Sequence, residues 1–419
     1  MIGRATIAGL ATIMTVMLPL GAAAQPVPAT AEFLANTSVA GNQVNPAVAF
    51  ELGNASSPSY FLAWENANTS LLMGQRYSSL AVALGTEFQI NNSVVCSAVN
   101  PAVASSRLGA GTVVAWDDCS DGSFAGVFFR RYSTTGAPLG AQVLANQLIA
   151  DPQELPAAAF EHGSTNYAVA WESGNSTSGD IRYRRFGGAG TPITADILVT
   201  SDGAAANDSR PSLAFELSGQ TMLIVWEHAN ATLNDTNISG RLYSSGGTPI
   251  TARFTVNSYT TGPQLRPAVT YEPGVGYLVA WESGNATFPE DGSGAGVFGR
   301  RLDTFGVFVG SAFQINTTTF NAQQDPALSG SGVTDAVAVW EQPNVTAHEI
   351  FGQYYRSAAS LGGEFQVTSY QTGTQANPAV ALDDNGSFLV AWQSGSNRDG
   401  SGEGISIRAS AAPRSATET

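Results

Sequence analysis

Carboxylates are the side chains of this sequence best suited to chemistry, and most of the conspicuous ones keep two fixed places. Glu65, Asp117, Glu172, Glu227, Glu282 and Glu341 each follow a tryptophan, while Glu51, Glu161, Glu216, Glu272 and Asp383 each stand five residues after a proline. Two carboxylates across a cleft can hydrolyse a glycoside, but the separation that decides this is spatial and does not show in a sequence. Catalytic acids usually break a repeat. These mostly obey one, and the departures Gln393, Ser106 and Ser331 lose charge instead of adding it. His162, His228 and His348 fall in three different stretches of chain, which argues against a three-histidine metal centre. No Gly-x-Ser-x-Gly elbow supports a serine nucleophile. Calcium is the one cofactor for which ligands are on offer. Asp121, Asp291 and Asp399 open Asp-Gly phrases that place hard oxygens on glycine-rich loops, although none has EF-hand spacing and turn chemistry explains them equally well.

The elements that must position these groups form a repeat. All 7 tryptophans end a hydrophobic run: FLAWE at Trp64, VVAWD at Trp116, AVAWE at Trp171, LIVWE at Trp226, LVAWE at Trp281, AVWE at Trp340 and LVAWQ at Trp392. Ahead of each lies a proline in one register, Pro46, Pro101, Pro156, Pro211, Pro267, Pro326 and Pro378, at a period of about 52 to 59 residues. The stretch from proline to tryptophan has room for two short strands and a turn. A third strand with a central Arg follows (Arg76, Arg131, Arg185, Arg241, Arg301), and then a fourth, as in EFQIN from Glu87 to Asn91. Four short strands punctuated by 45 Gly and 20 Pro, with no helical periodicity, predict an all-β, seven-bladed propeller of four-stranded antiparallel blades.

The seventh repeat stops after Gly404 to Ser410 without a fourth strand, and Glu32 to Asn36 reads EFLAN, a fourth-strand phrase without a repeat of its own. The N-terminal strand is therefore expected to complete the last blade and close the ring, leaving no open edge. Residues 32–410 form the propeller in this division, 25–31 a short linker and 411–419 a disordered tail. A tryptophan in every repeat suits inter-blade packing better than the alternative, a ring of sugar-stacking indoles. The two sets of acids should sit at opposite strand ends. Glu51, Glu161, Glu216, Glu272 and Asp383 are expected to ring one mouth of the channel and attract cations or a basic partner. The arrangement preferred for acids encoded by a repeat has them bonding turn amides or the repeat arginines instead.

Residues 1–24 read as a secretory signal: Arg4, an apolar run from Ile7 to Leu20, then Ala22-Ala23-Ala24 before Gln25. No later segment is apolar enough to span a membrane, so a secreted, extracellular product is expected. In that oxidising setting Cys96 and Cys119, the only 2 cysteines, are expected to pair across one hairpin. Sequons stand at Asn36, Asn54, Asn68, Asn91, Asn175, Asn207, Asn230, Asn234, Asn237, Asn285, Asn316, Asn344 and Asn385, which suggests glycans, although turns use the same residue types. The net charge is −15 with no lysine, which sets nucleic acid aside as a partner.

The phrases NPAVA, VAWES, GQRY and GTEFQIN, repeated over most of the chain, resemble secreted propeller repeat proteins of bacteria and some algae, mostly uncharacterised. In bacterial relatives such repeats accompany adhesion-type or calcium-binding modules, which implies an extracellular binding role by analogy. This chain has no such module and has sequon-rich loops instead. The expectation is a non-enzymatic binding or surface-structural propeller with an extracellular glycan or protein ligand. The alternatives are a glycoside hydrolase or polysaccharide lyase on the same scaffold, and a purely structural coat protein.

Overall fold

A computed structural model describes residues 25–413, apart from 53–57, 93–96, 123–124, 175–177, 201–205, 231–234, 344–346, 371, 396–399 and 401. Every element is a strand, and the strands form seven antiparallel sheets arranged as a ring. The first blade runs from the channel outward as Gln43–Glu51, Ser59–Asn66, Leu71–Ser78 and Ala83–Gln89. The other inner strands are Val99–Ser105, Gln153–Phe160, Ala206–Phe215, Gln264–Glu272, Gln324–Gly330 and Gln375–Leu382. The predicted seven-bladed propeller is the fold.

Ring closure follows the expected route. Phe33 and Leu34 pair with Ile407 and Ser406 as the outer strand of blade 7. Closure also reaches further than the sequence implied: Val27 and Pro28, assigned to a linker, pair with Ala411, assigned to the disordered tail, and Ser410, so the last strand runs Gly404–Ala411. The signal-peptide reading of residues 1–24 lies outside the described residues, as does the tail beyond Pro413.

The core is seven layers between blades instead of one centre. Each layer is built around one tryptophan and strands of the preceding blade: Trp116 packs with Phe61, Ala63 and Leu72 of blade 1, and Trp281 with Leu223, Val225 and Leu242 of blade 4. All seven indoles are buried, which settles their role as packing groups. Their N–H groups need acceptors in such a setting. Gln43, Gln153, Gln264 and Gln375, each three residues before a repeat proline, accept from Trp64, Trp171, Trp281 and Trp392 at 2.7–2.9 Å. Gln323 holds that place in blade 6 but accepts from Asn316 Nδ2 instead, and Trp340 Nε1 has no partner.

Candidate functional site

The inner strand of every blade carries a bulge at its proline. In blade 1, Val44 lies opposite Glu65 and Ala47 opposite Ala63, so one extra residue is accommodated on the inner strand, and the same shift recurs in all seven blades. The residue before the proline takes up the shift in a left-handed conformation: Asn45, Asn100, Leu155, Arg210, Arg266, Asp325 and Asn377 all have φ between 50° and 54°. Asn and Asp tolerate this region. For Leu and Arg, and next to proline, it costs roughly 1–2 kcal/mol each. Strain repeated at one place seven times points to a purpose.

These seven residues and their prolines line one mouth of the central channel, a cavity of about 310 Å³. We call this the proline face. The loops after each tryptophan strand and those between blades open on the same face, because the tryptophan strand ends opposite the start of the inner strand.

Five of the six carboxylates after tryptophan work here as latches between blades, while Glu341 meets Gln324 and His348 of its own blade. Glu65 Oε1 accepts the backbone N–H of Asn100 at 2.6 Å, Asp117 Oδ1 that of Leu155 at 3.2 Å, and Glu227 Oε1 that of Arg266 at 2.6 Å. Glu172 accepts from the Arg210 amide and Glu282 from the Asp325 amide in the same way. Each acid thus holds the strained residue of the next blade. Burial raises the pKa of this set: Glu65, Glu227, Glu282 and Glu341 shift upward, and Asp117 and Glu172 reach about 7. Glu154 adds to both of the larger shifts, since it stands directly opposite Glu172 across the strand pair and near Asp117.

Around the mouth the side chains differ by arc. Asn377 Nδ2 donates to Asn45 Oδ1 and to Gln393 Oε1, both at 3.0 Å, and Asn45 and Asn100 donate to Glu65 and Asp117 at 2.9 and 3.0 Å. On the opposite arc Arg266 bridges Glu282 at 2.7 Å and Asp325 at 2.5 Å, while the half-exposed Arg210 has only a 3.6 Å approach to Glu227. These arginines and Asp325 escaped the sequence reading. The available signal was the variable residue before an unvarying proline.

The five acids do not ring a mouth; they take the other arrangement weighed from the sequence, with arginines or turn amides as partners. They lie at the other end of the inner strands but are turned into the protein. Glu51 meets Arg76 at 2.8 Å, Glu161 meets Arg185 at 2.7 Å and Glu272 meets Arg301 at 2.7 Å. Glu216 accepts the amides of Ser218 and Gln220 at 2.7 Å, and Asp383 those of Asn385 and Ser387 at 2.8 Å. Burying a lone carboxylate is costly, so the fold supplies an arginine or turn amides and leaves no open ring of charge. What does cross this end is Arg107 of blade 2. Its guanidinium pairs with Asp384 of blade 7 and donates to Gly330 O of blade 6 at 2.7 Å. His162 lies beside it in a cavity of about 210 Å³, where burial and the Arg107 charge push its pKa down to about 4.

Other candidates resolve as framework. Asn36, Asn91 and Asn316 are buried, and each accepts a strand amide, from Ile405, Leu72 and Val297, at 2.8–2.9 Å. Asn146 and Asn257 do the same without being sequons. A glycan on those three nitrogens would have to occupy space the core already fills. Asn68 and Asn385 are exposed, Asn285 is half-exposed with its Oδ1 on two loop amides, and Asn207 and Asn237 are part-buried with Oδ1 bonded to Gly179 N and Asn257 Nδ2. Asn54, Asn175, Asn234 and Asn344, the side chain of Asn230, Cys96 and Asp399 lie outside the described residues. Asp291 Oδ1 accepts from Ser293 N at 3.0 Å, and both Asp121 and Asp291 fold against a strand glycine, Gly126 and Gly296. Among the described residues no group of three or more His, Cys, Asp or Glu is arranged to hold a metal ion. His228 and His348 bond Asp208 and Glu341 at 2.6 and 2.5 Å, in blades 4 and 6. No helix is long and apolar enough to cross a membrane among the described residues.

No protein-family model and no curated protein matches this sequence. Solved structures do. An ulvan lyase of polysaccharide lyase family PL25, bound to GlcA(1-4)Rha3S, covers 90% of this chain and 96% of its own, at 9% identity and a TM-score of 0.59. A protein of unknown function from Dyadobacter fermentans covers 77% and 97%, at 11% identity and 0.55. The polysaccharide lyase Uly1 covers 90% and 91%, at 9% identity and 0.52. At such identities the likeness is one of fold.

Proposed function

We propose that this chain is an exported, non-enzymatic binding propeller that holds an extracellular ligand on its proline face, with a glycan favoured over a protein. One observation carries the reading. Around the mouth the bulge, the proline and the strained backbone recur in every blade, while the side chain displayed there changes from Asn to Leu, Arg or Asp. A constant frame that presents varied polar side chains around a concavity is how binding sites are built. The acids beside it serve the frame as latches. A glycan is favoured because the displayed groups are amides, carboxylates and arginines, which suit hydroxyl groups, and because polysaccharide lyases use a frame of this kind. Secretion, occupied sequons, a Cys96–Cys119 bridge and membership of the secreted propeller repeat proteins belong to the same proposal.

A carbohydrate-active enzyme is the second reading. It is favoured by Asp117 and Glu172, which stand behind the residues of the channel mouth and whose pKa near 7 suits a general acid.

The test is retention of the purified protein on a glycan array and on insoluble polysaccharides, with and without EDTA, followed by a product assay on whatever is retained. Retention without product supports the binding propeller, and its loss in EDTA would bring the calcium loops back. Product formation decides for the enzyme. Absence of retention removes the glycan and leaves a protein ligand or a structural role.

A further inference from the structure

Aromatic rings are expensive to leave in water, and among the described residues the exposed ones are few: Phe288, Phe305, Phe320 and Tyr370. Three of the four lie on one face. Phe288 lies in the loop after the tryptophan strand of blade 5, Phe320 in the connection from blade 5 to blade 6, and Tyr370 in the connection from blade 6 to blade 7. All three loops open on the proline face. Their exposures are 44%, 67% and 39%.

These are also the blades whose inner strands bring Arg266, Asp325 and Asn377 to the mouth. Apolar rings and hydrogen-bonding groups thus come from the same three blades and the same face. A ring presents a flat apolar surface, and the C–H face of a pyranose is its natural complement. Carboxylates, amides and guanidinium groups meet the hydroxyls at the sugar's edge. The charge of the protein narrows the class further. A net −15, with Glu227, Glu282, Glu341 and Asp325 around this arc and, among the described residues of the mouth, Arg210 and Arg266 against them, disfavours a polyanion and leaves a neutral sugar unopposed.

We infer that the proline face over blades 5 to 7 is a track for a neutral polysaccharide, stacked on Phe288, Phe320 and Tyr370 and hydrogen-bonded at the mouth by Arg266, Asp325 and Asn377. The inference rests on the glycan reading above and deepens it to a substrate class and a location.

Affinity electrophoresis of the full chain tests it, in native gels containing a soluble β-glucan, a galactomannan or, as the anionic arm, alginate. The variants are Phe288→Ala, Phe320→Ala, Tyr370→Ala and their triple combination. Phe305→Ala is the control, because that ring is 75% exposed but sits in a hairpin at the other end of the strands. All are surface changes, and an unchanged melting temperature shows that each folds. The expected result is retardation in at least one neutral gel, weakened about tenfold by Phe320→Ala and abolished by the triple change, with Phe305→Ala equal to wild type. Neutral-gel retardation that survives the triple change overturns the track while leaving the glycan reading intact. Retardation by alginate alone overturns the neutral class. No retardation in any gel, joined by no retention on the array, removes both.

Discussion

The backbone N–H of Asn100 is held by Glu65 Oε1 at 2.6 Å across the seam between blades 1 and 2. A carboxylate set by its tryptophan thus clasps the strained residue that shapes the mouth of the neighbouring blade. Frame and site meet in that bond.

Removing the clasp leaves a buried amide without a partner. Glu65→Ala should lower unfolding free energy by about 1–3 kcal/mol in urea titrations, and Glu227→Ala, which frees the Arg266 amide, by a similar amount. Glu65→Gln keeps an acceptor and should cost less than half as much. Equal losses for Ala and Gln would show that the charge, and not the acceptor, is what the seam requires.

Stability should fall as pH rises through neutrality. Burial lifts Asp117 and Glu172 to about 7 in the folded chain, against ordinary values near 4 when unfolded. The folded state therefore binds more protons between about pH 4 and 7. Its advantage is full below that window and is lost as pH climbs through the folded value. With allowance for screening of the half-buried Glu172, the loss from pH 5 to pH 8 should be on the order of 2 kcal/mol. Asp117→Asn should flatten the slope; a melting temperature that rises toward pH 8 would contradict the assignment.

The tryptophans should not be equivalent. Trp281 donates to Gln264 at 2.9 Å while Trp340 Nε1 is buried without a partner. Trp281→Phe leaves the Gln264 oxygen unpaired and should cost about 1–2 kcal/mol more than Trp340→Phe, as read from denaturant midpoints. The reverse order would mean that Trp340 finds an acceptor the structure does not show.

Sequons should divide by burial. If the chain is glycosylated, peptide mapping should find glycans at Asn68, Asn285 or Asn385 and none at Asn36, Asn91 or Asn316. Asn316→Gln should cost about 1–2 kcal/mol by misplacing the acceptor of the Val297 amide, and Asn385→Gln should be neutral within about 0.5 kcal/mol. A glycan on Asn316 would overturn its role as a strand cap.

Much of this molecule could be read from its chain. Periodicity carries packing: a tryptophan that recurs with its apolar run must serve a surface that recurs, so the seven blades and the closing strand around Phe33 were legible, and so was the buried fate of the indoles. The repeat acids five after proline were placed at the right strand end, with the repeat arginines or turn amides among their readable partners. Sequence spacing locates a side chain along a strand but does not choose between an open mouth and the arginine that folds over it, as Arg76 does over Glu51.

Three things were decided only by the tertiary structure. The left-handed residue before each proline cannot be foreseen from a dipeptide that normally disfavours it, because contacts formed in the folded ring support the strain, five of them the latches on Asn100, Leu155, Arg210, Arg266 and Asp325. Arg107 meets Asp384 and Gly330 only once the ring has brought blade 2 opposite blades 6 and 7. Phe320 and Tyr370 stand in connections that share the fourth-strand phrase and the Gln before proline, whereas Phe288 belongs to a different loop type, and the direction of the strands is what places all three on one face. Repeated local packing is written in the sequence because each repeat must satisfy it. Sites that gather one residue from each of several blades depend on closure, which exists only in three dimensions.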